Sequence, residues 1–425
     1  MTTEPRTILV TGGTGLLGSH IAVRLLADGH RILLLARGRP RQSARVRVDN
    51  LLDWFGVPQS LRSKLKVLDG NLDHPGLDLH GRDRQMVTEE AEETIHCASD
   101  TSFSTRKRQH VERTNIRGLE HLLDVLQGGA CRGFHLISTA YTAGKRSGSC
   151  PEDFAPAVAF HNVYEETKHR AEHLAKLRCA QNRIVLTVHR PSIVYGDSVT
   201  GRTFLFNALY YPVRTLHFFS KLYGRDIREQ DGAKARAMGV TMDPDETLHL
   251  PLRIAGSESH GINLIPVDHF IRAFMAIRAD APQGGVFHIV NPDNITIGRL
   301  VDYTRRFFRL KGLRTAVPDD FIDSPRNGLE LLFENHIQAY GSYMQDNRIF
   351  ENAKSEAILH RHGITCPAFT YDVFATCMRY AVDVDWGRSP EPHAAIRTDG
   401  KRQPFSPETQ PDEARNEVAA GYRNA

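Results

Sequence analysis

The first two hundred residues alternate between short, almost wholly apolar runs and longer stretches with helical spacing. Thr7–Val10, Ile32–Ala36, Lys66–Leu68, Thr94–Cys97, Gly133–Ile137 and Val185–His189 have the length and the leucine or β-branched content of buried strands. Between them, Leu16–Asp28 and Asn115–Gln127 repeat apolar residues every three or four positions, as an amphipathic helix does. This alternation predicts an α/β fold, a doubly wound parallel (Rossmann) sheet covered by helices on both faces.

Beyond about residue 200 the pattern loosens. An aromatic-rich stretch, Thr203–Gly224, precedes a polar one, Arg225–Glu246. Two more strand candidates follow, Ile262–Ile265 and Val286–Val290, while Ile297–Leu310 and Tyr371–Val382 read as helices. The expected organisation is a nucleotide-binding core over residues 1–200, to which 260–295 returns. Residues 201–259 and 296–387 form a smaller, mostly helical substrate-binding region. In 388–425, five prolines stand among charged and small residues with few large apolar ones. Burial there cannot offset the entropy of ordering, so a disordered tail is expected.

Composition narrows the class. A chain of 425 residues has room for two or three structural units. Lys and Arg number 54 against 50 Asp and Glu, a net charge of +4, which is too mild for a nucleic-acid-binding protein. No run approaches the ~18 apolar residues of a membrane span, so no integral membrane segment is expected. The six cysteines form no C-x-x-C pair and suggest neither structural zinc nor a disulfide framework. The N-terminus has no apolar signal core, so a reducing cytoplasm is the expected location.

The first strand runs into Thr11-Gly12-Gly13-Thr14-Gly15-Leu16-Leu17-Gly18, which contains both G-x-G-x-x-G and G-x-x-G-x-x-G. Glycines let the backbone approach a pyrophosphate and let helix pack closely on strand, while the helix N-terminus offers free N–H groups. The second strand ends Ala36-Arg37-Gly38-Arg39, and no Asp or Glu occurs from 29 to 48. An acid there would favour the ribose hydroxyl of NAD. Arg37, supported by Arg39 or Arg41, favours the 2′-phosphate of NADP(H).

Tyr164 and Lys168 stand four residues apart, on one face of a helix. An ammonium near a phenol lowers the phenol's pKa and readies it for general acid–base work. The fifth strand runs into Ser138-Thr139, hydroxyls at the strand's carboxyl end where a substrate carbonyl would be held. His360-Arg361-His362, near Glu356 and Cys366, matches no established ligand spacing, so no metal is expected. Cys97 has no identifiable activating base and reads as a small buried residue.

The glycine loop, the strand-end hydroxyl and Y-x-x-x-K together resemble the extended short-chain dehydrogenase/reductase superfamily. Ile95–Ser99, Thr114–Gly118 and Arg190–Gly196 are similar to further motifs of that superfamily, and the likeness covers roughly residues 6–300. His135–Gly144, Ile262–Asp268 and the Phe350–Asn352 region resemble the branch of fatty acyl-CoA reductases and thioester reductases. The resemblance implies a catalytic Thr139, preceded by Ser138, with Tyr164 and Lys168. It implies cofactor contacts at Gly12, Thr14, Gly15, Leu16, Leu17, Gly18, Arg37, Asn71, Leu72, Ala98, Tyr164, Lys168, Pro191 and Ile193. Asn71 stands where the family usually has an aspartate against the adenine.

The implied reaction is NADPH-dependent reduction of an acyl thioester, carried by coenzyme A or a carrier protein, to the aldehyde, with the alcohol as the product of an optional second reduction. The aromatic stretch suits an acyl chain or a membrane surface, or alternatively a core or dimer face. The same residues would also serve an alcohol or ketone dehydrogenase or a sugar-nucleotide epimerase or dehydratase. A non-catalytic redox sensor would keep the glycine loop without needing the triad. A homodimer is a possible state.

Overall fold

In chain order, the strands of the two principal sheets are β1 (Thr7–Thr11), β2 (Arg31–Ala36), β3 (Leu65–Asp69), β4 (Glu93–His96), β5 (Gly133–Ile137), β6 (Val185–Pro191), β7 (Thr241–Met242), β8 (Leu248–Ala255), β9 (Gly285–Ile289) and β10 (Leu310–Ala316). The computed structural model describes residues 4–156, 159–256, 261–317, 319–344 and 346–388. The tail expected at 388–425 lies outside them except for Arg388.

Seven strands form one parallel sheet in the order β9-β6-β5-β4-β1-β2-β3. The doubly wound expectation is met. From β1 the chain winds outward through β2 and β3, then returns to the other side of β1 with β4. That reversal opens a crevice at the carboxyl ends of β1 and β4, the place where such sheets bind nucleotides.

Pleating divides the strand residues between two cores. Ile8, Val10, Ile32 and Leu34 pack with helix α1 (Leu16–Ala27), helix α2 (Ala44–Trp54) and Phe270 and Phe274 of a later helix. Leu9, Leu33, Leu136 and Val188 pack on the other face with α3 (Gly118–Leu126) and with Ala171 and Ala175 of α4 (Val163–Gln181). At the amino end of β4, the Glu93 carboxylate accepts from Arg278 at 2.6 Å and meets His135 at 3.1 Å. Burial would raise this carboxyl's pKa, but the bonds from His135 and Arg278 hold it well below the carboxylate range.

A third core lies in the C-terminal region, built around α5 (Tyr210–Glu229) and a second sheet of order β10-β8-β7. β8 and β10 run parallel, with a register shift between His249 and Leu252, and β7 pairs antiparallel to β8. The sequence reading did not foresee this sheet. The segment read as polar, Arg225–Glu246, contains the end of α5, a short helix Ala233–Ala237 and β7. The helix expected at Asn115–Gln127 has a longer lead-in, a turn Arg108–Glu112 and a π-helical turn Arg113–Arg117 before α3.

Candidate active site

Gly12 adopts φ +69°, and a Cβ there would lie 2.4 Å from the Ala98 backbone nitrogen. A Cβ on Gly18 would lie 2.4 Å from the Gly12 carbonyl oxygen. Only glycine lets the β1–α1 turn close against the end of β4. The N-cap of α1 is Gly15, which supplies no side-chain cap, and the first turn carries no acidic residue. The leading N–H groups of α1 are left for an anion, so the loop fits a pyrophosphate.

The basic end of β2 is arranged differently from the sequence expectation. Arg37 is 55 % exposed and lies 3.7 Å from Asp73. A residue the reading passed over, Arg47 on α2, reaches back to the loop. Its guanidinium donates to the Thr14 hydroxyl at 2.9 Å and to the Arg37 carbonyl at 2.6 Å. Burial, then repulsion from Arg39 and Arg37, lowers its pKa to about 10. Arg47 reaches the loop itself, and Arg37 and Arg39 lie close enough to repel it. The density of arginine at 37, 39, 41, 45 and 47 was the available signal, but only the fold selects Arg47. Past β3, Asn71 Oδ1 accepts from the Asp73 amide at 3.1 Å. Leu72 packs against Gly118, and its carbonyl meets His121 Nδ1 at 2.9 Å.

Thr139 follows β5 directly and caps the short turn Ala140–Ala143. Its hydroxyl accepts from the Tyr141 amide at 3.3 Å and donates to the Pro191 carbonyl at 3.4 Å. Tyr164 enters from the first turn of α4. Burial raises its phenol pKa, hydrogen bonding from Thr139 opposes that, and the Glu165 charge adds to it. Lys168 is buried and donates to the Ile137 carbonyl at 2.8 Å. Burial lowers its pKa to about 8, while Cys97 and Glu172 pull it upward.

The expected tuning of Tyr164 by Lys168 needs correcting. The phenol is shifted up, not down, and the ammonium is directed at the end of β5. Ser138 is buried beside Thr139, and its hydroxyl finds no hydrogen-bond partner among the described residues. The same holds for Ser192, between Pro191 and Ile193. Ile193 donates its amide to the Asn263 carbonyl at 3.2 Å. The Cys97 thiol is pushed up to about 12 by burial, with Lys168 opposing, which agrees with an inert structural cysteine.

The start of α4 is held from the far end of the chain. The Asn162 side chain caps the helix by accepting from the Glu165 amide at 3.0 Å. Asn162 Nδ2 donates to the Tyr343 hydroxyl, which donates to Glu165 Oε1, both at 2.7 Å. Arg348, 2 % exposed, lies 3.5 Å from Glu165 and 2.7 Å from Asp346, and donates to the Gly144 carbonyl at 2.8 Å. Sequence reasoning missed this cluster because its members have no local periodicity in common.

The aromatic stretch divides. Phe206, Tyr210, Phe219 and Tyr223 are core, while Phe204 and Leu205 border the core under α1 and α2. Tyr211 remains half-buried, near Tyr340. The histidines at 360–362 frame a surface ion pair, with His362 and Arg361 both 3.1 Å from Asp280. No helix among the described residues is long and apolar enough to cross a membrane.

Residues 10–274 match the male sterility protein family of NAD-binding domains, so this chain belongs to that family, within the extended short-chain dehydrogenase/reductases. The hybrid polyketide synthase–nonribosomal peptide synthetase himA of Aspergillus japonicus is 27 % identical over 290 residues, which are 63 % of this chain and 7 % of that protein. Fatty acyl-CoA reductase wat of Drosophila melanogaster is 24 % identical over 234 residues, 46 % of this chain and 44 % of the relative. The chain thus spans less than half the length of either. Among solved structures, the terminal R domain of the myxalamid pathway superposes with TM-score 0.68 at 21 % identity, covering 92 % of this chain and 94 % of that one. A UDP-glucuronic acid 4-epimerase of Bacillus cereus in complex with NAD superposes with TM-score 0.57 at 15 % identity, covering 88 % and 99 %. Both likenesses bear on the fold.

Proposed function

We infer that this chain reduces an acyl thioester to the aldehyde with NADPH. The observation that carries the reading is the placing of Thr139 as the cap of the turn that follows β5 and of Tyr164 in the first turn of α4, where Thr139 offsets the rise that burial gives the phenol's pKa, with Lys168 one helical turn on and bonded to the Ile137 carbonyl. Bound at the glycine loop, NADPH supplies the hydride. Gly12, Thr14, Gly15, Leu16, Leu17 and Gly18 would hold its pyrophosphate, and Arg47, with Arg37 and Arg39, would meet its 2′-phosphate. Asn71, Leu72 and Ala98 would hold its adenosine half, and Pro191 and Ile193 its nicotinamide. We assign the nucleotide to residues 1–200 with 260–295, and the substrate to 201–259 and 296–387.

Thr139 and Tyr164 hydrogen-bond the thioester carbonyl oxygen, and Tyr164 gives up its phenolic proton as negative charge builds there. A phenol kept protonated by burial suits a donor. Lys168, which donates to the Ile137 carbonyl, would orient the nicotinamide ribose. The hemithioacetal left after hydride transfer collapses, releasing the thiol and the aldehyde. A further reduction of the aldehyde to the alcohol would use the same two hydroxyls. The likeness to a fatty acyl-CoA reductase and to synthetase hybrids supports a thioester as substrate.

The test is NADPH oxidation with a panel of acyl-CoA thioesters, the matching free aldehydes, and Tyr164→Phe as control. Thioester turnover that the variant loses is the expected result. Turnover of aldehydes or ketones alone would make the chain an alcohol dehydrogenase instead.

A further inference from the structure

A path of half-buried rings leads from the candidate active site to an arginine that has no ion pair among the described residues. Phe103 lies 6.0 Å from the Tyr164 ring and 5.8 Å from Tyr340, and Tyr340 lies 5.8 Å from Tyr211. The Arg214 guanidinium covers the far ring of this path, 5.1 Å from the centroid of Tyr211. Arg214 is one helical turn beyond Tyr211 on α5 and is half-buried. Among the described residues it forms no hydrogen bond and no ion pair.

A partly desolvated guanidinium without a carboxylate is costly unless something else satisfies its five donors. Its charged neighbours are Arg388, which repels it, and Asp385, which attracts it more weakly. Burial comes first among the influences that hold its pKa below the ordinary arginine value. Arginine's planar fork matches phosphate oxygens in pairs.

We propose that Arg214 is the subsite for the phosphate at the far end of the substrate's pantetheine arm, with the Phe103–Tyr340–Tyr211 rings lining the arm's course to Tyr164. The inference rests on the thioester-reductase reading. In an acyl thioester of coenzyme A or of a carrier protein, the thiol ends a pantetheine chain and a phosphate begins it. A reaction centre joined by a wall of rings to a guanidinium with no ion pair among the described residues fits those two ends. The phosphate is common to both sources, and the experiment separates them.

The full chain with NADPH would be given one acyl group on four carriers: pantetheine, 4′-phosphopantetheine, coenzyme A and a phosphopantetheinylated carrier protein. The first two differ only in the phosphate. We expect kcat/KM to favour phosphopantetheine over pantetheine by at least about tenfold, the scale of one charged hydrogen bond. In Arg214→Gln that ratio should fall to near one, and Arg214→Lys, which keeps charge but loses the fork, should lie between. Whether coenzyme A or the carrier protein shares the loss identifies the source. An unchanged ratio in Arg214→Gln, or no preference in the native chain, overturns the proposal. If the native chain reduces none of the four, the thioester reading itself fails and the subsite falls with it.

Discussion

The two sheets of this molecule are built on opposite plans. In the seven-stranded sheet, β1 is buried along almost its whole length, with Leu9 facing one core and Ile8 and Val10 the other. In the three-stranded sheet, β8 alternates strictly between buried and half-buried positions, with Leu248, Leu250, Leu252 and Ile254 turned inward. Its outer face carries His249, Pro251 and Arg253, and Arg253 is tied to Glu330 by bonds of 2.7 and 2.9 Å. A parallel sheet covered on both faces writes itself into the chain as continuous apolar runs, whereas a sheet covered on one face writes itself as alternation. The first kind holds the glycine loop; the second belongs to the region whose Tyr343 and Arg348 hold Glu165 at the start of α4. On the reading proposed above, one region carries the reacting groups and the other positions them.

The sharpest way to break that division is chemical. Tyr164→Phe should lower thioester turnover by roughly 10²–10⁴-fold, the scale of a lost general acid. Urea melts of the variant should leave the midpoint close to that of the native chain, since the ring stays. A collapse of stability instead would move Tyr164 from the reacting group to the scaffold.

Arg348→Met addresses the link between the regions. It strands the buried Glu165 and Asp346 carboxylates, and removing one partner of a buried pair costs about 3–5 kcal/mol. Chemical denaturation would read the loss. The kcat of the surviving folded protein should also fall, because the first turn of α4 loses its anchor. Unchanged kcat would mean that the C-terminal region does not position Tyr164.

A smaller effect belongs wholly to the nucleotide region. Arg47→Gln should weaken NADPH binding by about ten- to a hundredfold, the scale of a lost charged contact to phosphate, and should leave NADH binding within about threefold. Nicotinamide fluorescence titrations with both cofactors would settle it. Equal losses for the two would assign Arg47 to the loop alone.

The mildest test is a pH series. Lys168 loses its proton near pH 8 in the folded chain and near 10.5 when unfolded. Between those values the unfolded state binds more protons, so this group's burial penalty is present below pH 8 and fades as pH rises through that window. Native stability measured against that of Lys168→Met should therefore improve from pH 8 to 10. A constant difference would mean that the ammonium is not desolvated.

Much of the nucleotide region was legible because its signals are local. Gly12, Gly15 and Gly18 recur at fixed spacing after an apolar run, and Tyr164 and Lys168 are one helical turn apart. The alternation in Leu248–Ile254 was equally present but hidden, because Pro251 interrupts it and a polar segment precedes it. The aromatic residues of 203–224 misled in another way. Composition alone could not separate Phe219, fully buried, from Tyr211, left half-buried beside Tyr340.

The parallel sheet, the glycine loop and the Thr139, Tyr164 and Lys168 candidates each depend on neighbours within a few residues, and the chain's own pattern was enough to specify them. Long-range packing was needed to bring Arg47 and not Arg41 to Thr14, to direct Lys168 at the Ile137 carbonyl, and to set Tyr343, 178 residues away, against Glu165. Such contacts are fixed by how helices settle on sheets and by which charges burial forces into pairs, and no spacing along the chain encodes them.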